Sequence, residues 1–151
     1  MMVTPPLLIY TLAEEGAGPF YAPVRCRRLP DGSYQIFRDD YALFDDDGED
    51  DGGQLYMFGP GDIVSAATED INGSPLLVAR TLLRSGSSVN DLKRLMFVIV
   101  EENPKPSSLI SQYGEDTVSR LLIRVEKAEG YVYPRIREYV AEHLSVLMEA
   151  L

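Results

Sequence analysis

In the first half of the chain apolar and polar side chains alternate; in the second half the apolar ones return every third or fourth residue. Period two belongs to strands and a three-to-four spacing to helices, so the pattern alone predicts an α+β protein. Leu7 to Leu12 reads as a strand, and residues 13–19, with Glu14, Glu15, Gly16 and Gly18, as a loop. From Tyr21 to Leu29, Val24 and Cys26 alternate with Arg25 and Arg27, as in a strand with one face in the core. Asp31-Gly32 is a hairpin signal, and Ser33 to Arg38 is the returning strand, with Tyr34 and Ile36 opposed to Gln35 and Phe37. After FDDDGEDDGG, Phe44 to Gly53, a strand resumes over Gln54 to Phe58. Pro60-Gly61-Asp62 turns the chain, Ile63 to Glu69 extends again, and Asn72-Gly73 leads into Leu76 to Leu83. Five or six short strands punctuated this way predict a small antiparallel β-barrel or rolled sheet over residues 1–86, SH3-like in general architecture.

Ser85 to Ser88, SGSS, marks the predicted domain boundary, because it is small, polar and followed by the change of period. Ser88 with Asp91 three residues on resembles a helix cap, and Val89, Leu92, Leu95, Met96, Ile99 and Val100 keep helical spacing up to Asn103. The β-branched run over residues 95–100 also suits a buried strand; the upstream periodicity favours a helix. Leu109, Ile110 and Tyr113 space a short segment that ends at Gly114. Glu115 and Asp116 suit the start of a longer helix, where the free N–H groups favour negative charge. Val118, Leu121, Leu122 and Val125 form its apolar stripe, and Arg120, Arg124 and Lys127 lie on a neighbouring face. Gly130 is a plausible stop, and Tyr131-Val132-Tyr133 is a short β-type run. Pro134 opens a last helix on which Ile136, Val140, Leu144, Leu147 and Leu151 share a face. That face has to pack, on the body of the domain or on a second copy of the chain.

Over residues 107–133 the order is helix, tight turn, helix with TVSR near its start, glycine and a short extended piece. That order resembles the winged helix-turn-helix class, with Thr117 to Lys127 in the recognition-helix position. The turn is shorter than in the class, and Tyr131 to Tyr133 alone stands for a wing. The resemblance implies a helical, winged-helix-like domain over residues 87–151 that meets DNA through Arg120, Arg124 and Lys127. The alternative is an ordinary pair of amphipathic helices whose basic residues are simply solvated.

Charge changes the picture. Six basic and fourteen acidic side chains fall in residues 1–86, eight and ten in residues 87–151, so the total of −10 divides into −8 and −2. Phosphate is repelled by the first half, which leaves nucleic-acid contact to the second, whereas a basic protein partner suits the whole. One cysteine, Cys26, excludes an internal disulfide, and His143, the single histidine, leaves no Cys/His set for zinc. No basic leader precedes the first apolar run, and no segment reaches the about 20 apolar residues of a membrane span, so a soluble cytoplasmic protein is expected.

Candidate chemistry is sparse. Asp45, Asp46, Asp47, Glu49, Asp50 and Asp51 could chelate calcium but lack EF-hand spacing; a solvated hairpin tip, or a loop that engages a basic partner, is the simpler reading. Glu14-Glu15 and Asp39-Asp40 are neighbouring acids, not a pair converging on one substrate. There is no G-x-S-x-G elbow, and Gly59-Pro60-Gly61 has no Lys-Ser/Thr after it. Arg25, Arg27 and Arg28 form a positive island, explained by cross-strand pairing to acids such as Asp39 or Asp40 or, more sharply, by anion binding. Tyr131, Tyr133 and Tyr139 with Arg135 and Arg137 make an aromatic–basic patch of the kind interfaces and nucleic-acid sites use, or tyrosines that close the domain's edge. No catalytic, cofactor or metal site is expected. The sequence therefore reads as a non-enzymatic regulatory or adaptor protein acting through protein–protein contacts, with a homodimer as one option. A DNA-binding transcriptional regulator using the helix 117–127 is the alternative, and an enzyme of unknown class the remaining one.

Overall fold

The computed structural model describes residues 6–12, 20–38, 55–127 and 133–151. Among these residues seven strands precede four helices. The strands are β1 (Leu7–Leu12), β2 (Phe20–Val24), β3 (Cys26–Arg28), β4 (Tyr34–Ile36), β5 (Leu55–Tyr56), β6 (Ile63–Ile71) and β7 (Ser74–Arg84). The helices are α1 (Ser88–Glu102), α2 (Pro106–Tyr113), α3 (Glu115–Lys127) and α4 (Pro134–Glu149). The periodicities thus give the α+β class.

Six strands lie in the order β2-β1-β7-β6-β4-β3, and β5 adds to β1. The described pairings are antiparallel except β1–β7, where Leu8 faces Val78 in parallel, so the sheet departs from the wholly antiparallel expectation. Its hydrogen bonding ends at β2 and β3 and does not close. The run from Tyr21 to Leu29, expected as one strand, is two. β2 pairs with β1 at one end of the sheet and β3 with β4 at the other, with only Arg25 between them. Strands one residue apart cannot occupy opposite ends of a flat sheet, so this one curls in the sense that strand twist allows.

Turn chemistry fixes the hairpins. Asn72 and Gly73 both have positive φ, 53° and 86°, as a two-residue hairpin turn between β6 and β7 requires. The Asp31-Gly32 hairpin forms with a longer loop than expected. Gly32 N–H donates to the Leu29 carbonyl, and Leu29 N–H to the Ser33 carbonyl, so Pro30, Asp31 and Gly32 make a three-residue connection.

Helix α1 resolves the ambiguity over residues 95–100. Leu95, Met96, Phe97, Val98 and Ile99 are consecutive and all buried, which a helix achieves only when covered on several sides. Its cover comes from β5 and from α2, α3 and α4, including Leu55, Leu109, Val118, Leu121, Ile136 and Val140. The cap is Ser87, not Ser88: its side chain accepts from the Asn90 N–H at 3.2 Å. A second cluster, with Leu7, Ile9, Val24, Ile36 and Val64, fills the curl of the sheet, and Met57 packs against both clusters.

The two clusters meet at one buried ion pair. Asp62, fully buried, accepts at Oδ1 from Gly86 N–H at 2.6 Å and Asn90 Nδ2 at 2.8 Å. At Oδ2 it accepts from Gly59 N–H at 2.8 Å and Arg94 Nη1 at 2.9 Å. Arg94 also donates to the Met57 carbonyl and, at 3.1 Å, to Asp91. The SGSS segment is therefore tied to the turn ahead of β6. Gly86 has to be a glycine there, because an added Cβ would come 2.5 Å from the Gly61 carbonyl carbon and 2.6 Å from the Pro60 oxygen.

Removing one member of a buried pair strands the other, at a typical cost of about 3–5 kcal/mol. Asp62→Ala should therefore lower the unfolding free energy by about that much in urea titration. Gly86→Ala meets backbone that cannot step aside and should cost about 1–3 kcal/mol in the same assay.

Candidate functional site

The surface that carries most of the expected contact residues is built by α3 and α4. Helix α3 begins directly after Gly114, which adopts φ 87°, and buries Val118 and Leu121 while Leu122 and Val125 are half-buried. The expected stripe is in place. Arg120 and Lys127 are exposed and Arg124 is half-buried, so the three cations do not form one equally accessible row. Beside Arg120 lies a groove of about 530 Å³ that also contains Asp91, Glu115 and Asp116. Three carboxylates to one guanidinium make it a poor seat for phosphate.

Helix α4 divides its expected face. Ile136, Val140 and Leu147 are buried in the helical core, whereas Leu144 is 46% and Leu151 43% exposed. With Met148, 60% exposed, these two recur at i, i+4 and i+7, so α4 carries a second apolar stripe that nothing in the described chain covers. Glu138, Glu142 and Glu149 share a third face, on the far side of the helix from the packed one, and Arg137, exposed, stands at the N-terminal end of the stripe.

The aromatic–basic patch is not assembled as expected. Tyr133 and Tyr139 are core residues, 1% and 2% exposed, because Pro134 turns the chain into α4 and both rings fall on its inner side. The Tyr139 hydroxyl donates to the Pro104 carbonyl at 2.7 Å. His143 packs on the Tyr139 ring at 4.5 Å, a structural place. Arg135 and Arg137 are left exposed, and Tyr131 lies outside the described residues.

The Arg25–Arg27 island is satisfied locally. Arg27 donates to Gln35 Oε1 from Nε at 3.0 Å and from Nη2 at 2.7 Å, while Arg25 lies over the Phe37 ring at 5.5 Å. Asp39, Asp40, Glu14, Glu15, Gly130 and the acidic loop 45–51 fall outside the described residues. Cys26 is buried, and burial pushes its thiol pKa up. Among the described residues no three His, Cys, Asp or Glu side chains group as metal ligands, and no helix is long and apolar enough to cross a membrane.

Sequence reasoning missed Asp62, Asn90 and Arg94, and it placed Lys93 on no site although that side chain is buried. Asp62 had been legible only as a turn former. Comparison with known proteins finds no matching family model, no matching curated protein and no matching solved structure.

Burial pushes the Tyr113 and Tyr139 phenols up to about 12, and the hydrogen bond with Tyr10 does the same for Tyr21. A phenol raised in the folded state contributes stability that is complete below its unfolded pKa of about 10 and lost as pH rises through the folded value. Stability should therefore fall between about pH 10 and 12. Absorbance at 295 nm should show a late group of tyrosines whose size shrinks in Tyr139→Phe.

Proposed function

We propose that the chain is a non-catalytic regulatory or adaptor protein that docks through the C-terminal half of α4. The observation that carries this reading is the row Leu144, Met148 and Leu151, an apolar stripe left in solvent beside the packed face of the same helix. A row of this size on one face is a docking feature, unlike single scattered apolar residues. On a chain of net charge −10, whose α4 also carries Glu138, Glu142 and Glu149, the stripe matches an amphipathic helix with basic edges better than a second, equally acidic copy. The non-enzymatic part of the reading rests on satisfied chemistry: the buried carboxylate of Asp62 has four donors, and His143 packs against a ring.

The DNA-binding alternative draws on the exposed Arg120 and Lys127. Against it stand Glu115 and Asp116, since the leading turn of a recognition helix is the part that enters the groove. The sheet, curled through Arg25, keeps the small-barrel architecture in play as part of the same proposal.

Leu144→Ser with Met148→Ser changes only exposed side chains and should shift stability by no more than about 0.5 kcal/mol per site. The double variant should lose a partner that the unaltered chain retains from its host lysate, while Arg120→Ala with Lys127→Ala keeps it. Light scattering on a size-exclusion column should show a monomer without the partner. Retardation of DNA at low salt, relieved steeply by added salt and by Arg120→Ala, would favour the alternative and count against docking through α4.

A further inference from the structure

A separate feature opens on the other side of α1. Between the sheet and the C-terminal half of this helix lies a cleft of about 570 Å³, within the size range of small-ligand sites. Its floor is apolar: Met57 and Phe58 from the segment after β5, Val78 and Ala79 from β7, Phe97 and Val98 from α1. One wall is aromatic. Tyr10 of β1 and Tyr21 of β2 stack at 4.4 Å with an interplanar angle of 25°, and the Tyr21 hydroxyl donates to that of Tyr10 at 2.9 Å. The cross-strand pair is thus fixed at both ring and hydroxyl.

The rim is negative. Among the described residues Arg80 is its one cation, and it is already engaged by Glu69, Nη1 to Oε2 at 2.7 Å. Glu101 and Glu102 remain, both exposed, on the last turn of α1, which carries no basic residue. Carboxylates at that end of a helix face its free carbonyl groups and the negative pole of its dipole, an arrangement that a neighbouring cation relieves. An anion entering the cleft would have to share Arg80 with Glu69 and sit beside two further carboxylates. A cation with an apolar stem fits all three surfaces: its charge toward Glu101 and Glu102, its stem on the floor, and its flank on the tyrosine rings.

We propose that this cleft is a binding site for an organic cation, an alkylammonium or guanidinium group carried on an apolar or aromatic body. The ligand is a free amine or a basic side chain of a peptide; the chemistry is shared. The site does not depend on docking through α4, and it stands or falls separately.

Titrations of the isotope-labelled full chain with phenethylammonium, agmatine and an arginine-containing amidated tetrapeptide test it, with 3-phenylpropionate as the anionic counterpart. Saturable shifts at the Met57 methyl and at the amides of residues 97–102 are expected for at least one cation. Glu101→Gln with Glu102→Gln should weaken that binding tenfold or more at unchanged thermal stability, and phenylpropionate should not saturate. Saturation by the small amines assigns a free ligand, and saturation by the tetrapeptide alone assigns a peptide side chain; either upholds the site. No saturation by any cation at millimolar concentration, tighter binding of the carboxylate, or an affinity indifferent to the double substitution would overturn it.

Discussion

The carboxylate of Asp62 holds the two halves of the molecule in register. A buried charge is costly in itself, and here the cost is offset by four hydrogen bonds and a guanidinium that is also nearly inaccessible. The donors come from three places: the Gly59 turn, the Gly86 joint, and the first turns of α1 through Asn90 and Arg94. The first is local to the turn, and the other two are distant in sequence. The packing of sheet against helices is thereby given one orientation, which two apolar clusters touching through Met57 would not specify alone.

Periodicity made the classes of the elements legible, and turn chemistry located the hairpins. What escaped was whatever depended on partners far along the chain. The break at Arg25 is invisible because alternation continues through it, Val24 and Cys26 both being buried; only the different neighbours of β2 and β3 reveal two strands. Leu144 and Leu151 matched the same spacing as Ile136 and Val140, yet spacing defines a face and not what covers it. Tyr133 and Tyr139 looked like surface aromatics because arginines sit beside them, and in a helix neighbours in sequence point to different sides. Asp62 was hidden by its own plausibility, since an acid after Pro-Gly is ordinary turn composition.

The two surfaces left open differ in kind. On α4 the exposed side chains are apolar and convex, suited to a complementary groove or helix. Between the sheet and α1 the opening is concave, with aromatic and acidic rims over an apolar floor. The cleft carries Glu69, Glu101 and Glu102 at its margin, in keeping with the charge of the whole chain.

The parallel contact between β1 and β7 has a consequence for the order in which the chain becomes a protein. Leu8 meets Val78 across seventy residues, and between them β1 has, among the described residues, β2 and the two-residue β5 for company. Closing so long a loop is entropically slow, so assembly waits on the β6–β7 ribbon, which is local and closes early. On the ribosome the first strand emerges well before its central neighbour exists. Leu7 and Ile9, sealed in the finished sheet, lack their central neighbour during that interval.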